Sequence, residues 1–116
     1  MIVDLFESQT AVFTGPDTLT IAQVEIRNDI YGSEWKVETV VISTDSLQTL
    51  GQSTFYLYLN SMTPGGLRDS TYQGDGATTE SNITMRAGDK LIGLWTGGDA
   101  GSHATMTVRG TKETGR

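Results

Sequence analysis

The chain has 116 residues, enough for one domain around one core. Its formal net charge is −6, with only 8 Lys and Arg against 14 Asp and Glu. That balance argues against binding a nucleic-acid backbone, which needs clustered cations. Cysteine is absent, which excludes a disulfide scaffold, a thiolate nucleophile and a Cys-based zinc site.

Residues 1–17 read as an N-terminal arm. Ile2, Val3, Leu5 and Phe6 are apolar without a clean period, and Ala11 to Phe13 suggest a short strand before the Gly15-Pro16-Asp17 turn. Two readings stand: a first edge strand, or an extension that adds itself to a neighbour's sheet. The start of the chain has neither a basic n-region nor an apolar h-region, so no signal peptide is expected. No apolar run approaches the roughly 20 residues of a membrane span.

Residues 18–28 predict a strand. Leu19 and Ile21 are in phase, as are Val24 and Ile26, but the two pairs are offset by one residue, which suggests a bulge at Ala22-Gln23. Residues 35–44 predict a strand covered on both faces, with Trp35, Val37 and Val41 on one and Val40 and Ile42 on the other. Leu47 and Leu50 are expected to plug one end of the core. Residues 53–60 alternate cleanly, with Phe55, Leu57 and Leu59 inward and Tyr56 and Tyr58 outward.

Residues 61–81 carry turn signals at Pro64-Gly65-Gly66 and Gly74-Asp75-Gly76, with a brief strand expected between Leu67 and Tyr72. Ile83 and Met85 make a short strand, Ala87-Gly88-Asp89 a turn, and Lys90 to Thr96 a strand. Gly97 to Gly101 form a hairpin-type connection. In the closing strand Ala104, Met106 and Val108 point inward and Thr105, Thr107 and Arg109 outward; 111–116 read as a flexible tail. The fold expected is all-β: a single antiparallel β-sandwich, jelly-roll-like, of seven or eight strands, with residues 18–110 as its body. Jelly-roll and immunoglobulin connections both remain open.

The residues suggest no catalytic group and no cofactor. His103 is the sole histidine, and its neighbour Ser102 cannot point at it along a strand; no Gly-x-Ser-x-Gly elbow is present. Glu25, Glu34, Glu38, Asp69, Asp75, Glu80, Asp89 and Asp99 show no spacing that selects a glycosidase pair. Asp69, Asp75 and Asp99 lie in loops where calcium would find oxygen ligands, but no Asp-x-Asp-x-Asp-Gly run supports it. Asn82-Ile83-Thr84 matches a glycosylation sequon without a secretory signal. The aromatic stripe of Tyr56 and Tyr58 suits either a partner protein or a sugar ring.

Leu67 to Gly74, Ile83 to Ile92, Leu94 to Gly98 and Ala104 to Gly110 resemble small β-sandwich proteins of tailed-phage heads and necks. The resemblance covers about residues 50–110. Its Ala-Gly-Asp strand entry and Gly-rich closing turn also occur in jelly-roll domains of the C1q and tumour-necrosis-factor type. The resemblance implies a non-enzymatic virion protein at the capsid surface or neck: a decoration (cement) protein that bridges major capsid subunits, or a head–tail collar component. Homo-oligomers are expected of it, trimers where such proteins occupy three-fold positions. Partner contacts then fall to Ile2, Val3, Leu5, Phe6, Tyr56, Tyr58, Leu67 and Tyr72. The rival reading is a carbohydrate-binding jelly-roll module, with Tyr56, Tyr58, Trp95 and the 61–81 loop as its platform.

Overall fold

The structure is a computed structural model that describes residues 2–16, 20–29, 32–45, 54–71, 76–78 and 83–113. They form nine strands: β1 (Ile2–Val12), β2 (Ile21–Arg27), β3 (Glu34–Thr44), β4 (Thr54–Leu59), β5 (Leu67–Thr71), β6 (Gly76–Thr78), β7 (Ile83–Met85), β8 (Lys90–Thr96) and β9 (His103–Glu113). One sheet runs β1-β9-β3-β6 and the other β2-β8-β4-β5. β7 shares the outer edge of β3 with β6: β7 pairs Trp35–Val37, and β6 pairs Val40–Ile42. Counted as one interrupted strand, they give two antiparallel four-stranded sheets whose order interleaves chain neighbours between layers. The all-β sandwich is the one the strand pattern led one to expect; the strand order is the double Greek key of a jelly roll, one of the two connections that the pattern left open.

The core lies between the sheets. Phe55 and Trp95, on paired strands, place their ring centroids 4.8 Å apart at 55°, and Ala104, Met106 and Val108 cover them from β9. Gly93 lets the layers pack closely; a Cβ there would meet Met106, Phe55 and Val24 at 2.9 to 3.0 Å. Asn28 is buried and closes one end of the core. Its Nδ2 donates to the Ser33 and Met85 carbonyls at 3.0 and 3.1 Å, so three chain segments depend on one amide. Thr20 Oγ1 donates to the Gly98 carbonyl at the other end.

Four expectations need correction. β1 is the first edge strand of the two readings, but it is not confined to Ala11–Phe13: it pairs with β9 along its whole length, from Ile2 opposite Glu113 to Val12 opposite His103. Its apolar period is weak because it is an edge strand that buries only Leu5. β2 has no bulge: its pairing with β8 is unbroken, and Ala22, Val24 and Ile26 face inward while Ile21 is exposed. The small Ala22, not Ile21, sets the phase. β3 does not carry apolar residues on two covered faces; a bulge between Val37 and Thr39 shifts its phase. Trp35, Val37, Val40 and Ile42 therefore all point into the core. β9 continues through residues 111–113, paired to both β1 and β3, so these belong to the sandwich. Leu47, Leu50 and residues 114–116 lie outside the described residues.

Candidate interaction surfaces

Three surfaces matter: the outer face of each sheet and the open side of the sandwich. The pairing of β1, β9 and β3 sets out the first in rows across the strands. Phe6, Arg109 and Thr39 form one row, Ser8, Thr107 and Val41 the next, and Thr10, Thr105 and Ser43 the third. The hydroxyls of Ser8 and Thr107 lie 3.2 Å apart, and those of Thr10 and Thr105 2.9 Å apart, each pair hydrogen-bonded across the strands. Arg109 lies over the Phe6 ring, its Cζ 5.6 Å from the centroid. Arg109 stands in the first row, and the charges beside the rows are Lys36, opposite Thr111, and, at the bulge, Glu38, both exposed. The other acids of the face sit at its ends: Asp4, Glu34 and Glu113 at one, Asp45 at the other. In a chain of net charge −6 this is a nearly uncharged strip of hydroxyl and methyl groups.

At the far end of that strip, Asp45 is held by the backbone. Its Oδ1 accepts from the His103 amide at 2.6 Å, and its Oδ2 lies 3.3 Å from His103 Nδ1. The amide bond foremost, then the imidazole, holds the carboxyl below its usual value. A carboxyl lowered in the folded state stabilises fully above its unfolded value of about 3.9 and loses that contribution as pH falls through the lower folded value. The melting temperature of Asp45→Ala is therefore expected below wild type at pH 7 and to converge on it below about pH 4. Parallel melting curves across that window would remove the assignment.

The second face belongs to the other sheet. Gln23, Leu94, Tyr56 and Ser70 form one row; Glu25, Ile92, Tyr58 and Leu67 form the next. The Tyr56 and Tyr58 rings stack along β4, centroids 6.4 Å apart at 27°. Ile92 belongs to this outward face and yet is only 4% exposed. Leu67 is 40% exposed beside Tyr58. Charges ring this patch instead of crossing it: Glu25 receives Arg27 at 2.7 Å and Lys90 at 3.6 Å.

On the open side, between β1 and β2, lies a polar cleft of about 350 Å³ bordered by Glu7, Gln9, Glu25, Arg27 and Asp29. The Arg27 hydrogen bond is the main force lowering the Glu25 carboxyl, with Lys90 and the Arg27 charge adding to it and a little burial opposing it. A general acid needs the opposite shift. Among the described residues no three His, Asp or Glu gather as a metal site.

The residues singled out from sequence thus scatter over both faces. Ile2 and Phe6 are exposed, at 67% and 62%, and Val3 less so. Leu5 is 2% exposed and packs in the core, because its side of β1 faces the other sheet; it offers no contact to a partner. Tyr56, Tyr58 and Leu67 lie together on the second face, and Tyr72 falls outside the described residues. The sequence reading missed the exposed Val12, Ile21 and Met62. It also missed the Ser–Thr rows of β1; the alternating Ser8 and Thr10, answered by Thr105 and Thr107, was the available signal.

What these features define is a jelly-roll β-sandwich with a nearly uncharged Ser–Thr strip on one face and an aromatic patch on the other. No protein-family model matches the chain, and no curated protein matches it in sequence. Its fold is similar to a chain in the acid-stable capsid of Helicobacter pylori bacteriophage KHP30, with a TM-score of 0.50 and 11% identity over 94% of this chain and 91% of that one. Drosophila NLP-core, a structure bearing on pentamer formation and histone binding, aligns at a TM-score of 0.47 and 12% identity over 92% and 97%. A Podospora anserina GH26-CBM35 β-(1,4)-mannanase aligns at 0.46 and 12%, over 99% of this chain but 28% of its own. At such identities the likeness is one of fold.

Proposed function

We propose that this chain is a non-enzymatic virion protein: a capsid decoration protein that stabilises a phage head by bridging major capsid subunits. The observation that carries the reading is the uncharged strip on β1, β9 and β3, in a chain otherwise rich in acids. Removing charge from the centre of a surface lowers the cost of covering it with protein, and a polar rim then sets register. The resemblance of residues 50–110 to small phage head and neck proteins supports the same reading, and the jelly-roll fold is compatible with it. Many weak copies of one contact, repeated by capsid symmetry, suffice for tight overall attachment.

The test is addition of the purified protein to phage heads that lack a decoration protein. Expected is saturation at a fixed ratio to the major capsid subunit and a higher temperature of head disruption. Thr107→Glu, which puts a charge in the middle of the strip, should weaken that binding at least tenfold, while Thr107→Val, which also loses the hydroxyl bond to Ser8 but adds no charge, should leave binding near wild type. Binding to isolated necks and not to heads would shift the role to the collar.

A second reading rests on the stacked Tyr56 and Tyr58 rings, which offer the flat aromatic surface that a sugar ring covers. If glycans bind and Tyr56→Ala with Tyr58→Ala abolishes it, while heads are left undecorated, the carbohydrate reading replaces the capsid one.

A further inference from the structure

β1 is an edge strand. Its one partner among the described strands is β9, and its other side is open. The hydrogen bonds just beyond its end reveal which backbone groups face that opening. Phe13 donates to the Ser102 carbonyl at 2.8 Å and accepts from the Gly101 amide at 2.9 Å, so it turns toward the β9 side. Thr14 points the other way, exchanging both bonds with Ile21 at 2.9 Å each. Antiparallel pairing alternates this direction residue by residue. Along β1 it follows that Ile2, Asp4, Phe6, Ser8, Thr10 and Val12 turn their N–H and C=O groups to the open side. The edge contains no proline and its pairing with β9 has no bulge; its charged residues are Asp4 and Glu7. Its two most exposed apolar side chains, Ile2 and Phe6, belong to the same outward set.

We infer that this edge pairs with the same edge of a second copy, antiparallel about a two-fold axis, with Phe6 opposite Phe6. A two-fold contact uses one patch twice, so the patch must complement itself. Like charges directly opposite each other destabilise a strand pair, and that rule sorts the registers. Setting Asp4 against Asp4, or Glu7 against Glu7, fails at once. A pairing centred on Ser8 leaves Ile2 without a partner residue, and one centred on Leu5 ends at Ser8. The pairing centred on Phe6 runs from Ile2 to Thr10. It places Asp4 opposite Ser8, whose hydroxyl donates to the carboxylate, and Glu7 opposite Leu5; the two Glu7 residues become diagonal neighbours about 7 Å apart, a repulsion that this register carries and that added salt weakens. The two Asp4 carboxylates then lie four residues apart along the strands, about 13 Å, beyond the Debye length at physiological salt. Ile2 meets Thr10, a methyl-bearing partner.

The row through the axis becomes Arg109, Phe6, Phe6 of the second copy, and its Arg109. Each guanidinium already lies over its own ring, so two aromatic rings pack between two cations. The paired sheets form one continuous sheet, in which each copy's Ser8 and Thr10 rows run on into the Asp4 and Ile2 rows of the other copy. This pairing is independent of the capsid reading, because its test needs no capsid.

The experiment combines sedimentation velocity of the whole chain, over a range of concentrations, with two substitutions. The expected species is a dimer. Ser8→Pro removes one N–H from the open side and none from the β9 ladder, a position where an edge strand tolerates proline. It is expected to give a monomer whose melting temperature does not depend on concentration and lies near that of the wild type diluted below its dimerisation range, less the small worth of the Ser8–Thr107 hydroxyl bond. Phe6→Cys introduces the chain's sole thiol. A hydrogen-bonded antiparallel pair holds its Cα atoms about 5.5 Å apart, within reach of a disulfide. Mild oxidation should therefore yield covalent dimer at least tenfold faster from Phe6→Cys than from Ser43→Cys, whose thiol sits on the same face but away from the edge. A monomer at every concentration, a larger oligomer, a dimer indifferent to Ser8→Pro, or equal cross-linking rates would each overturn the pairing.

Discussion

Gly110→Val is expected to cost the fold about 3 kcal/mol or more, read as a lowered midpoint in urea denaturation. Gly110 faces the bulge in β3. A Cβ built on it would lie 2.0 Å from the Lys36 carbonyl oxygen and 3.0 Å from the Glu38 amide nitrogen. Both are backbone atoms of a paired strand, so no side-chain rotation relieves the clash. The ladder between β3 and β9 must open or shift there, and a shift by one residue would turn the inward set of β9 outward. Gly110→Ala should act in the same direction. A midpoint unchanged by either substitution would mean that β3 does not bulge at this point.

Trp95→Ala is expected to cost about 3–5 kcal/mol, a large part of the roughly 5–15 kcal/mol that holds a domain together. Trp95 is fully buried, stands on the central strand of its sheet and packs against Phe55. Its removal leaves a cavity between the layers that neighbouring strands cannot close without breaking their pairing. The readout is the denaturation midpoint together with the near-ultraviolet circular dichroism of the remaining aromatics. A loss below about 1 kcal/mol, well short of the range for buried Trp, would place this side chain outside the core.

The strands that bury one clean face were legible from sequence. β4 and β9 alternate strictly, and Phe55, Leu57, Ala104, Met106 and Val108 all point inward as their period requires. The turn at Gly88 was legible too, because its φ of 92° is one that glycine adopts freely. Hidden were the features set by long-range partners. The bulge in β3 exists because β9 presents Gly110 opposite it, and nothing local in the β3 sequence announces a partner 70-odd residues away. The full length of β1 was hidden for a related reason: an edge strand needs few apolar residues, and its polar side chains make sense only beside Thr105 and Thr107.

The candidate surfaces divide the same way. That Tyr56 and Tyr58 face outward followed from period two. That Leu94, Ile92 and Leu67 join them in one patch depended on register, which sequence does not carry. Leu5 shows the converse error. Its apolar neighbours made it look like part of a contact arm, while its place opposite Gly110 puts it in the core.

The strand that both β1 and β3 need as a neighbour, β9, is the last of the described strands. During synthesis the ribosome therefore releases two long strands, Ile2–Val12 and Glu34–Thr44, well before the segment that separates and joins them. Until His103 and the residues after it emerge, that layer has no centre, and its edges are open to any extended chain nearby. The sandwich must thus form in a late, concerted step dominated by distant contacts, which places its folding among the slower small domains. Crowding many nascent copies together is the condition under which mispairing at those edges competes best with the arrival of β9.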